Sequence, residues 1–320
     1  DVGSQPEIEY TGFQPKAAGY YEISNAQDLK WFAQLVNSGA TSINGRLTAD
    51  ICLNACGEGE SVLKADGTLN GDGSNFTQWT PIGTKEKPYK GTFDGNGKRI
   101  SGLYFNDENV NHVGLFGFID YGAKVQNVGV VDSYIRGWTF VGGVVGYNDG
   151  DLSNVYNTGA VSGWGEVGGV VGQNKFGTVR NVYNTGAVSG GSFVGGVVGR
   201  NWSFVGEVYN TGAVSGNKSV GGVVGYNKDF VENAYYNTDF YTGNAIGENA
   251  NEANVSHFEG KTTAELIAID LGLEWVAGNL AYDKTTGKLT ASFPYLEIFA
   301  DFQYKITALE FKVVDNVIQI

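Results

Sequence analysis

The sequence repeats itself at a nearly fixed interval, and this repeat restricts the possible folds more than any other feature. The string Val-Gly-Gly-Val-Val-Gly occurs four times at offsets of 26, 27 and 26 residues, beginning at Val141, Val167, Val194 and Val220. The string Val-Tyr-Asn-Thr-Gly-Ala-Val-Ser-Gly occurs three times in the same register, beginning at Val155, Val182 and Val208. Self-similarity at such a period is typical of repeat architectures.

Each repeat unit consists of two short β-branched segments that are separated by turn residues. Valine-rich segments of this length favour strands, and the Asn, Gly and Asp clusters between them favour turns. No unit contains a helical stretch, which excludes ankyrin, tetratricopeptide and ordinary leucine-rich repeats. About 26 residues suit one coil of a β-solenoid, in which strands pair with the coils above and below at ~4.8 Å. We therefore predict an all-β fold, a parallel β-helix.

Stacked coils place equivalent residues in columns along the solenoid axis. Two valine columns are predicted to lie inside, formed by Val144, Val170, Val197 and Val223 and by Val155, Val182 and Val208. One asparagine column is predicted at each of two bends, formed by Asn148, Asn174, Asn201 and Asn227 and by Asn157, Asn184, Asn210 and Asn237. Side-chain amides in such columns satisfy turn groups. The 49 glycines are explained by tight bends and close packing of coils.

A solenoid needs a cap at each end, because its terminal strands otherwise pair with other chains. The segment Ser24–Gln27 resembles a capping box, and apolar residues at helical spacing follow it, which predicts a helix over 25–37 that Gly39 ends. A second short helix is predicted over 262–271, ended by Gly272, with Trp275 and residues 293–296 packed behind it.

The predicted organisation has five parts. They are an N-terminal extension at 1–19, the cap helix and entry coils at 20–105, repeat coils at 106–240, the last coil and C-terminal cap at 241–302, and a strand-like tail towards a further domain at 303–320. Within the entry coils, Asp94–Gly97 lies between apolar runs and predicts a hairpin-type turn.

Four segments resemble the GLUG-repeat family of bacterial surface and secreted proteins. They are Tyr21–Ala33, Leu47–Ile51, Trp79–Gly83 and Tyr89–Leu103. The Val-Gly-Gly-Val-Val-Gly copies are similar to the Gly-Leu-hydrophobic-Gly core of that family, and the resemblance covers residues 20–297. It implies a right-handed parallel β-helix in an exported protein, either adhesin-like or in the non-catalytic regions of immunoglobulin A peptidases. It supplies no catalytic residues.

Charge and composition exclude several classes of partner. The net charge of -13 repels phosphate backbones, so we expect no nucleic-acid ligand. No run of about 18 apolar residues exists, so we expect no membrane insertion by this segment, which we take to be part of a larger exported protein. Outside the cell, Cys52 and Cys56 could close a small loop, but two cysteines do not define a scaffold or a zinc site.

The sequence carries no recognisable catalytic motif. His112 and His257 are isolated, which argues against a metallopeptidase or a serine triad. Carboxylates on neighbouring coils do not form an acidic column: the candidates are Asp132, Asp149, Asp151, Glu166, Glu207 and Asp229. We therefore assign no catalytic residue and favour a non-enzymatic module. The alternatives are a carbohydrate-active β-helix hydrolase or lyase that uses two unique carboxylates, and an accessory domain of a larger secreted peptidase.

Aromatic residues in the variable turns are the candidate ligand site. Trp138 and Trp164 occupy one register on successive coils, Phe140 and Phe193 share another, and Trp202 extends from the opposite turn. Exposed rings would present flat apolar faces to sugar rings. Alternatively, they shield a solenoid corner or pack on a neighbouring domain. We predict an extracellular, adhesin-like module whose turn aromatics bind a glycan or a host or surface protein.

Calcium is the one cofactor that the sequence suggests. Asp66, Asn70 and Asp72 place oxygen ligands at alternate positions, as in a calcium loop, but Thr77 stands where the loop would need its closing Glu. Asp-Gly and Asn-Gly pairs are also ordinary turn chemistry, so both interpretations stay open.

Overall fold

A computed structural model shows the chain as a parallel β-solenoid, which confirms the predicted fold class. The structure describes residues 13–16 and 19–268, together with the backbone of short strands between 275 and 319. Nine coils follow one another in the described part of the chain, and coil strands pair in parallel register. No helix in the described ranges is both long and apolar enough to span a bilayer.

Three sheets run along the solenoid and are named here in the order in which a coil visits them. Face one contains, in spatial order, Tyr20–Ile23, Asn44–Leu47, Thr92–Ser101 (with Ile51–Cys52 beside it), Lys124–Val131, Asp151–Asn157, Thr178–Asn184, Phe204–Asn210, Val231–Asn237 and Val255–Lys261. Face two contains Tyr104–Asn106, Tyr134–Arg136, Thr139–Gly142, Ala160–Gly168, Val188–Gly195 and Val214–Gly221. Face three contains Phe116–Ile119, Val145–Asn148, Val171–Asn174, Val198–Asn201, Val224–Asn227 and Ile246–Asn249.

The interior is built from valine columns, because the strand register stacks equivalent residues of successive coils. Val155 pairs with Val182, and Val182 pairs with Val208, on face one. The predicted inner columns are fully buried, at 0 % exposure for Val144, Val170, Val197, Val223, Val155, Val182 and Val208. Burying one such side chain stabilises the fold by about 1.5–3 kcal/mol.

Two buried asparagine ladders lie at the corners on either side of face one. Between faces three and one, each Asn Nδ2 donates to the Oδ1 of the next coil at 2.8–3.0 Å, along Asn148, Asn174, Asn201, Asn227 and Asn249. Between faces one and two, Asn157 donates to Asn184 at 2.9 Å and Asn184 to Asn210 at 2.8 Å. Amides inside the solenoid therefore bond each other and the turn backbone, which leaves few polar groups without partners.

The second ladder ends one coil earlier than the sequence pattern suggests. Asn210 pairs with Tyr236, and Asn237 lies one residue further along. Asn237 is buried and donates instead to Thr263 Oγ1 at 2.9 Å. The shift arises because the last repeat carries one residue more before its Asn-Thr pair.

A helix over Ala26–Ser38 lies at the N-terminal end, one residue later than predicted. Its N-cap is Asn25, whose Oδ1 accepts from the backbone N–H groups of Gln27 and Asp28 at 2.9 and 3.0 Å, so the predicted Ser24–Gln27 capping box is wrong. Gly39 ends the helix with a φ of 129°. Leu29, Phe32, Ala33 and Val36 form its buried side.

At the other end, the coils are followed by a 3₁₀ turn at Glu252–Asn254, the last strand and a helix over Thr263–Ile267. Thr262 caps this helix in a capping box with Glu265, and Leu266 and Ile267 are buried. Gly272 and Phe293 lie outside the described residues, as does most of 1–19 and of 303–320. The further strands pair antiparallel: Trp275–Val276 with Tyr295–Leu296, Asn279–Asp283 with Lys288–Ser292, and Lys312–Val314 with Val317–Gln319.

In the entry coils, one predicted feature is wrong and one that the sequence left open is present. Asp94–Gly97 lies inside the strand Thr92–Ser101 as a bulge, with a register shift between Asp94 and Lys98, so the predicted hairpin turn is wrong. Asn96 and Gly97 adopt left-handed φ values there, of 51° and 71°. Cys52 and Cys56 form a disulfide at the end of the short strand Ile51–Cys52.

Candidate ligand-binding surface

The outer side of face two carries a groove of about 420 Å³, which we call the face-two groove. It is lined by Glu108, Tyr134, Arg136, Trp138, Ser162, Trp164 and Ser189, with glycines at 137, 163 and 190. Strand alternation explains this lining, because Ile135, Val161 and Val188 point inward at 0–1 % exposure and their neighbours point outward. Its lining residues come from four successive coils, a span of roughly 14 Å.

Two stacked tryptophans form one wall of the face-two groove. The ring centroids of Trp138 and Trp164 are 5.6 Å apart and their planes differ by 9°. The side chains are 44 % and 56 % exposed. The next position in this column is Gly191, and an added Cβ there would lie 3.0 Å from Trp164 Cε3, so the indole extends over the next coil. The column therefore ends in an exposed aromatic platform.

The remaining groove residues supply polar groups without a net charge. Arg136 forms an ion pair with Glu108 on the preceding coil, which neutralises both. Tyr134 stacks on Tyr104 with centroids 6.1 Å apart, and Ser162 and Ser189 place hydroxyl groups on the floor. An aromatic wall beside uncharged hydroxyl groups suits a ligand that has apolar faces and many hydroxyls.

Phe140 and Phe193 do not line this groove. Both have left-handed backbone conformations, with φ of 56° and 54°, which turn their side chains over the corner onto face three. Phe140 stacks on His112 at 4.8 Å, and burial lowers the pKa of that imidazole. Phe193 meets Tyr226 edge-on at 5.6 Å. These two phenylalanines shield the corner between faces two and three, which is the structural alternative that the sequence left open.

Trp202 lies on a different surface, at the corner between faces three and one. Three cations approach its ring: Lys228 Nζ at 4.1 Å, Lys175 Nζ at 4.6 Å and Arg200 Cζ at 4.8 Å. The five predicted aromatic site residues therefore occupy three separate places, and only Trp138 and Trp164 share a groove.

The residues proposed for calcium lie in the irregular segment between coils. Asp66 Oδ1 accepts from Thr68 N and Oγ1 at 2.9 and 2.6 Å, and Asp72 Oδ1 accepts from Ser74 in the same way. Asn70 donates to Ser61 O at 3.0 Å. Asn70 and Asp72 line a shallow groove of about 530 Å³, whereas Asp66 is not part of its lining. Both carboxylates are thus engaged in turns of their own.

The candidate catalytic carboxylates are spread over different structural roles. Glu166 pairs with Arg200 at 3.4 Å, and Glu207 pairs with Arg180 at 2.9 Å. Asp132 accepts from Ser61 Oγ and from the backbone N–H groups of Val62 and Leu63. Burial raises the pKa of Glu166 despite the nearby Arg200. The face-two groove is lined by a single carboxylate, Glu108, whereas glycosidases use two.

Sequence reasoning missed the residues that complete the groove. Tyr134 and Arg136 precede Trp138 at intervals of two, so strand alternation alone places them on its side of the sheet. Glu108 precedes the motif repeats and aligns through the pairing of Tyr104–Asn106 with Tyr134–Arg136, which no repeated string marks.

One solved structure shares the fold of this chain, and two proteins match parts of its sequence. No family model matches the sequence, so the resemblance to the GLUG-repeat family stays a prediction. A crystal structure described as a "putative immunoglobulin A1 protease" from Bacteroides ovatus superposes with a TM-score of 0.59 at 18 % identity, covering 89 % of this chain and 94 % of that one. This likeness shows a shared solenoid fold.

Two curated relatives match parts of the sequence. Halomucin of Haloquadratum walsbyi is 32 % identical over 144 residues, which is 44 % of this chain and 1 % of halomucin. A "Putative Gly-rich membrane protein" of Evansella cellulosilytica is 36 % identical over 80 residues, which is 24 % of this chain and 9 % of that protein. The chain therefore spans a small fraction of the length of these relatives.

Proposed function

We propose that this chain is a rigid, non-enzymatic module of a larger exported protein and that its face-two groove binds a neutral glycan. The observation that carries the proposal is the exposed, parallel pair Trp138 and Trp164 at the edge of a hydroxyl-lined groove. Indole faces bind the apolar faces of sugar rings, and serine and tyrosine hydroxyls bind sugar hydroxyls. The Arg136–Glu108 pair leaves no net charge to attract an anionic sugar.

Three observations support an extracellular, surface-associated role. The disulfide Cys52–Cys56 is of a kind that persists in oxidising compartments. The relatives include halomucin and a Gly-rich membrane protein, and both are far longer than this chain. A rigid solenoid suits adhesion, because weak contacts along a repeated face add through multivalency. The crystal structure described as a putative protease has the same fold, which supports the alternative that this chain is an accessory domain of a larger secreted peptidase.

A polysaccharide and glycan binding screen with the purified chain tests the proposal. Replacing both rings, Trp138→Ala with Trp164→Ala, is expected to remove measurable binding, because truncating one anchor costs about 2 kcal/mol, or roughly 30-fold in Kd. The matched control replaces two exposed aromatics elsewhere, Tyr121→Ala with Phe258→Ala, and is expected to bind as the parent does.

Two outcomes would contradict the proposal. Unchanged binding by a folded Trp138→Ala, Trp164→Ala variant would exclude the groove as the binding site. Release of reducing ends from the same polysaccharides, assayed in parallel, would show instead that the chain is a carbohydrate-active enzyme. Calcium dependence is tested by repeating the screen with a chelator, since Asp66, Asn70 and Asp72 remain candidates for a calcium site.

A further inference from the structure

The floor of the face-two groove contains a regular polar column that continues beyond the groove along the solenoid axis. Its members stand one on each of four successive coils, at Arg136, Ser162, Ser189 and Ser215. Trp138 and Trp164 stand two residues further along the chain and rise beside this floor. Residues two apart in an extended chain share a face, so the indole wall runs parallel to the polar column at roughly 7 Å.

Glycines fill the space between the polar column and the indole wall, at Gly137, Gly163, Gly190 and Gly216. A Cβ at Gly190 would lie 2.9 Å from Val194 Cγ2 and 3.0 Å from Val167 Cγ2, which is closer than the ~3.5–4.0 Å of ordinary carbon contacts. The backbone therefore lies close to the buried valines here. No side chain separates the serine hydroxyls from the indoles.

The serine hydroxyls of the polar column are available to a ligand. Ser189 and Ser215 are exposed and Ser162 is half-buried. Within the part of the chain that the structure describes, no hydrogen bond engages the Oγ atom of any of the three. A hydroxyl both donates and accepts, so each can bind a sugar hydroxyl. The parallel register repeats this group at the coil interval of ~4.8 Å.

The indole wall is shorter than the polar column. The position after Trp164 in its column is Gly191, which the indole covers, and the one after that is Asn217, an exposed polar residue. A ligand that lies along the groove therefore meets an indole on the first three coils and only polar groups on the coil of Ser215. Ring contacts bury more apolar area than a hydroxyl contact, so the first three coils are expected to contribute most of the affinity.

An extended β-1,4-linked sugar chain matches this arrangement in its repeat. Successive residues of such a chain follow one another at nearly the coil interval, and each residue presents a hydroxyl at each edge of the chain. A chain that runs parallel to the solenoid axis, with its ring faces against the indoles, therefore turns one hydroxyl-bearing edge towards each member of the polar column. Helical chains, such as α-1,4-linked glucans, curve away from a straight column and lose this match.

We propose that the face-two groove binds an extended, neutral β-1,4-linked polysaccharide, an assignment that rests on the glycan-binding function proposed above. The chain lies parallel to the solenoid axis, with one sugar residue on each of the four coils that carry the polar column. Ser215 and Gly216 are exposed, so the floor stays open beyond Ser189. The groove therefore admits an internal segment of a long polymer as well as its end.

Calorimetry with β-1,4-linked cello- and manno-oligosaccharides, and with α-1,4-linked malto-oligosaccharides of the same lengths, tests this proposal. The parent chain is expected to bind at least one β-1,4-linked series, with an affinity that rises up to the tetrasaccharide and is then constant. The malto-oligosaccharides are expected to bind about tenfold or more weakly, because they lose the hydrogen bonds on more than one coil.

Ser215, at the end of the polar column, reports the length of the bound chain. Ser215→Ala is expected to weaken binding of the tetrasaccharide about fivefold and to leave that of the di- and trisaccharide unchanged, because these occupy the coils that carry indoles. Ser189→Ala is expected to weaken binding of the trisaccharide as well. The matched control is Ser256→Ala, an exposed serine on the face-one strand Val255–Lys261, which is expected to bind every length as the parent does.

The possible outcomes separate the class of glycan from glycan binding itself. No binding to either β-1,4-linked series, equal affinity for the malto-oligosaccharides, no increase with chain length, or an equal effect of Ser215→Ala at every length would each overturn the assignment of an extended chain. Tryptophan-dependent binding of another neutral glycan would then leave the proposed function standing. Absence of any glycan ligand, or unchanged binding by the Trp138→Ala, Trp164→Ala variant, would remove both.

Discussion

Asn184 is the residue at which the contribution of the asparagine ladders can be measured most directly. Its side chain makes four hydrogen bonds: Oδ1 accepts from Asn157 Nδ2 at 2.9 Å and from Gly186 N at 3.3 Å, and Nδ2 donates to Gly186 O at 2.7 Å and Asn210 Oδ1 at 2.8 Å. The residue is 0 % exposed, so water does not replace these partners without a rearrangement of the corner. At about 1 kcal/mol for each bond, we expect Asn184→Ala to lower the free energy of unfolding by about 4 kcal/mol.

This loss is large against the roughly 5–15 kcal/mol that typically separates folded and unfolded states. Urea unfolding followed by circular dichroism measures it, and hydrogen exchange at the Gly186 amide reports whether the corner opens locally first. The control is Asn217→Ala, an exposed asparagine on the strand Val214–Gly221, for which we expect a change within about 0.5 kcal/mol.

A second variant separates hydrogen bonding from packing. Leucine has the branched shape of asparagine, with two bulkier methyl groups in place of the amide oxygen and nitrogen, so Asn184→Leu fills the corner but cannot form hydrogen bonds. If our reasoning is right, it is destabilised nearly as much as Asn184→Ala. A stable leucine variant, or an alanine variant that loses less than about 1 kcal/mol, would show that the ladder bonds contribute little beyond volume.

Two further predictions follow from burial and from close packing. Burial raises the pKa of Asp149 above its ordinary value of 3.8. Ionising this carboxyl therefore lowers the free energy of unfolding. This destabilisation is absent in acid and grows as the pH rises through about 4. Asp149→Asn is therefore expected to stabilise the chain at neutral pH by less than about 1 kcal/mol, with no gain in acid; a pH series of urea midpoints that shows a constant difference would contradict this. Gly196→Ala would push a Cβ into the Gly222 carbonyl oxygen and the Asn210 amide, so we expect a loss of about 3 kcal/mol or more in urea unfolding, whereas Gly165→Ala, whose nearest neighbour is Thr139 Cγ2 at 3.4 Å, is expected to be tolerated.

The solenoid was predictable because its determinants repeat in the sequence. Val144 and its equivalents recur at the coil length, so their column and burial follow from counting. Asn237 shows where counting by motif fails. The Tyr-Asn-Thr string aligns it with Asn210, but the strand keeps one register along its length, from Val205 with Val231 to Asn210 with Tyr236, so the additional tyrosine displaces the asparagine by one position.

The candidate site was only partly predictable, for conformational reasons. Phe140 stands two residues after Trp138, so alternation alone puts both on one face, but its φ of 56° breaks the alternation and sends the ring over the corner. Asn96 and Gly97 show a similar ambiguity, since left-handed residues serve both hairpin turns and bulges. The backbone conformation at single residues therefore decides which aromatic side chains lie on the same face, and the residue types alone do not determine it.

The direction of the hydrogen bonds between coils gives this molecule an unusual response to mechanical load. Strands lie across the solenoid axis, so the backbone bonds and both asparagine ladders run along it. Tension applied between the two ends therefore loads one coil interface after another instead of shearing all of them together. Each detached coil of about 26 residues converts a rise of ~4.8 Å into roughly 90 Å of extended chain. Under rising force the solenoid would lengthen in discrete steps, one coil at a time, and dissipate mechanical work while the remaining coils stay folded.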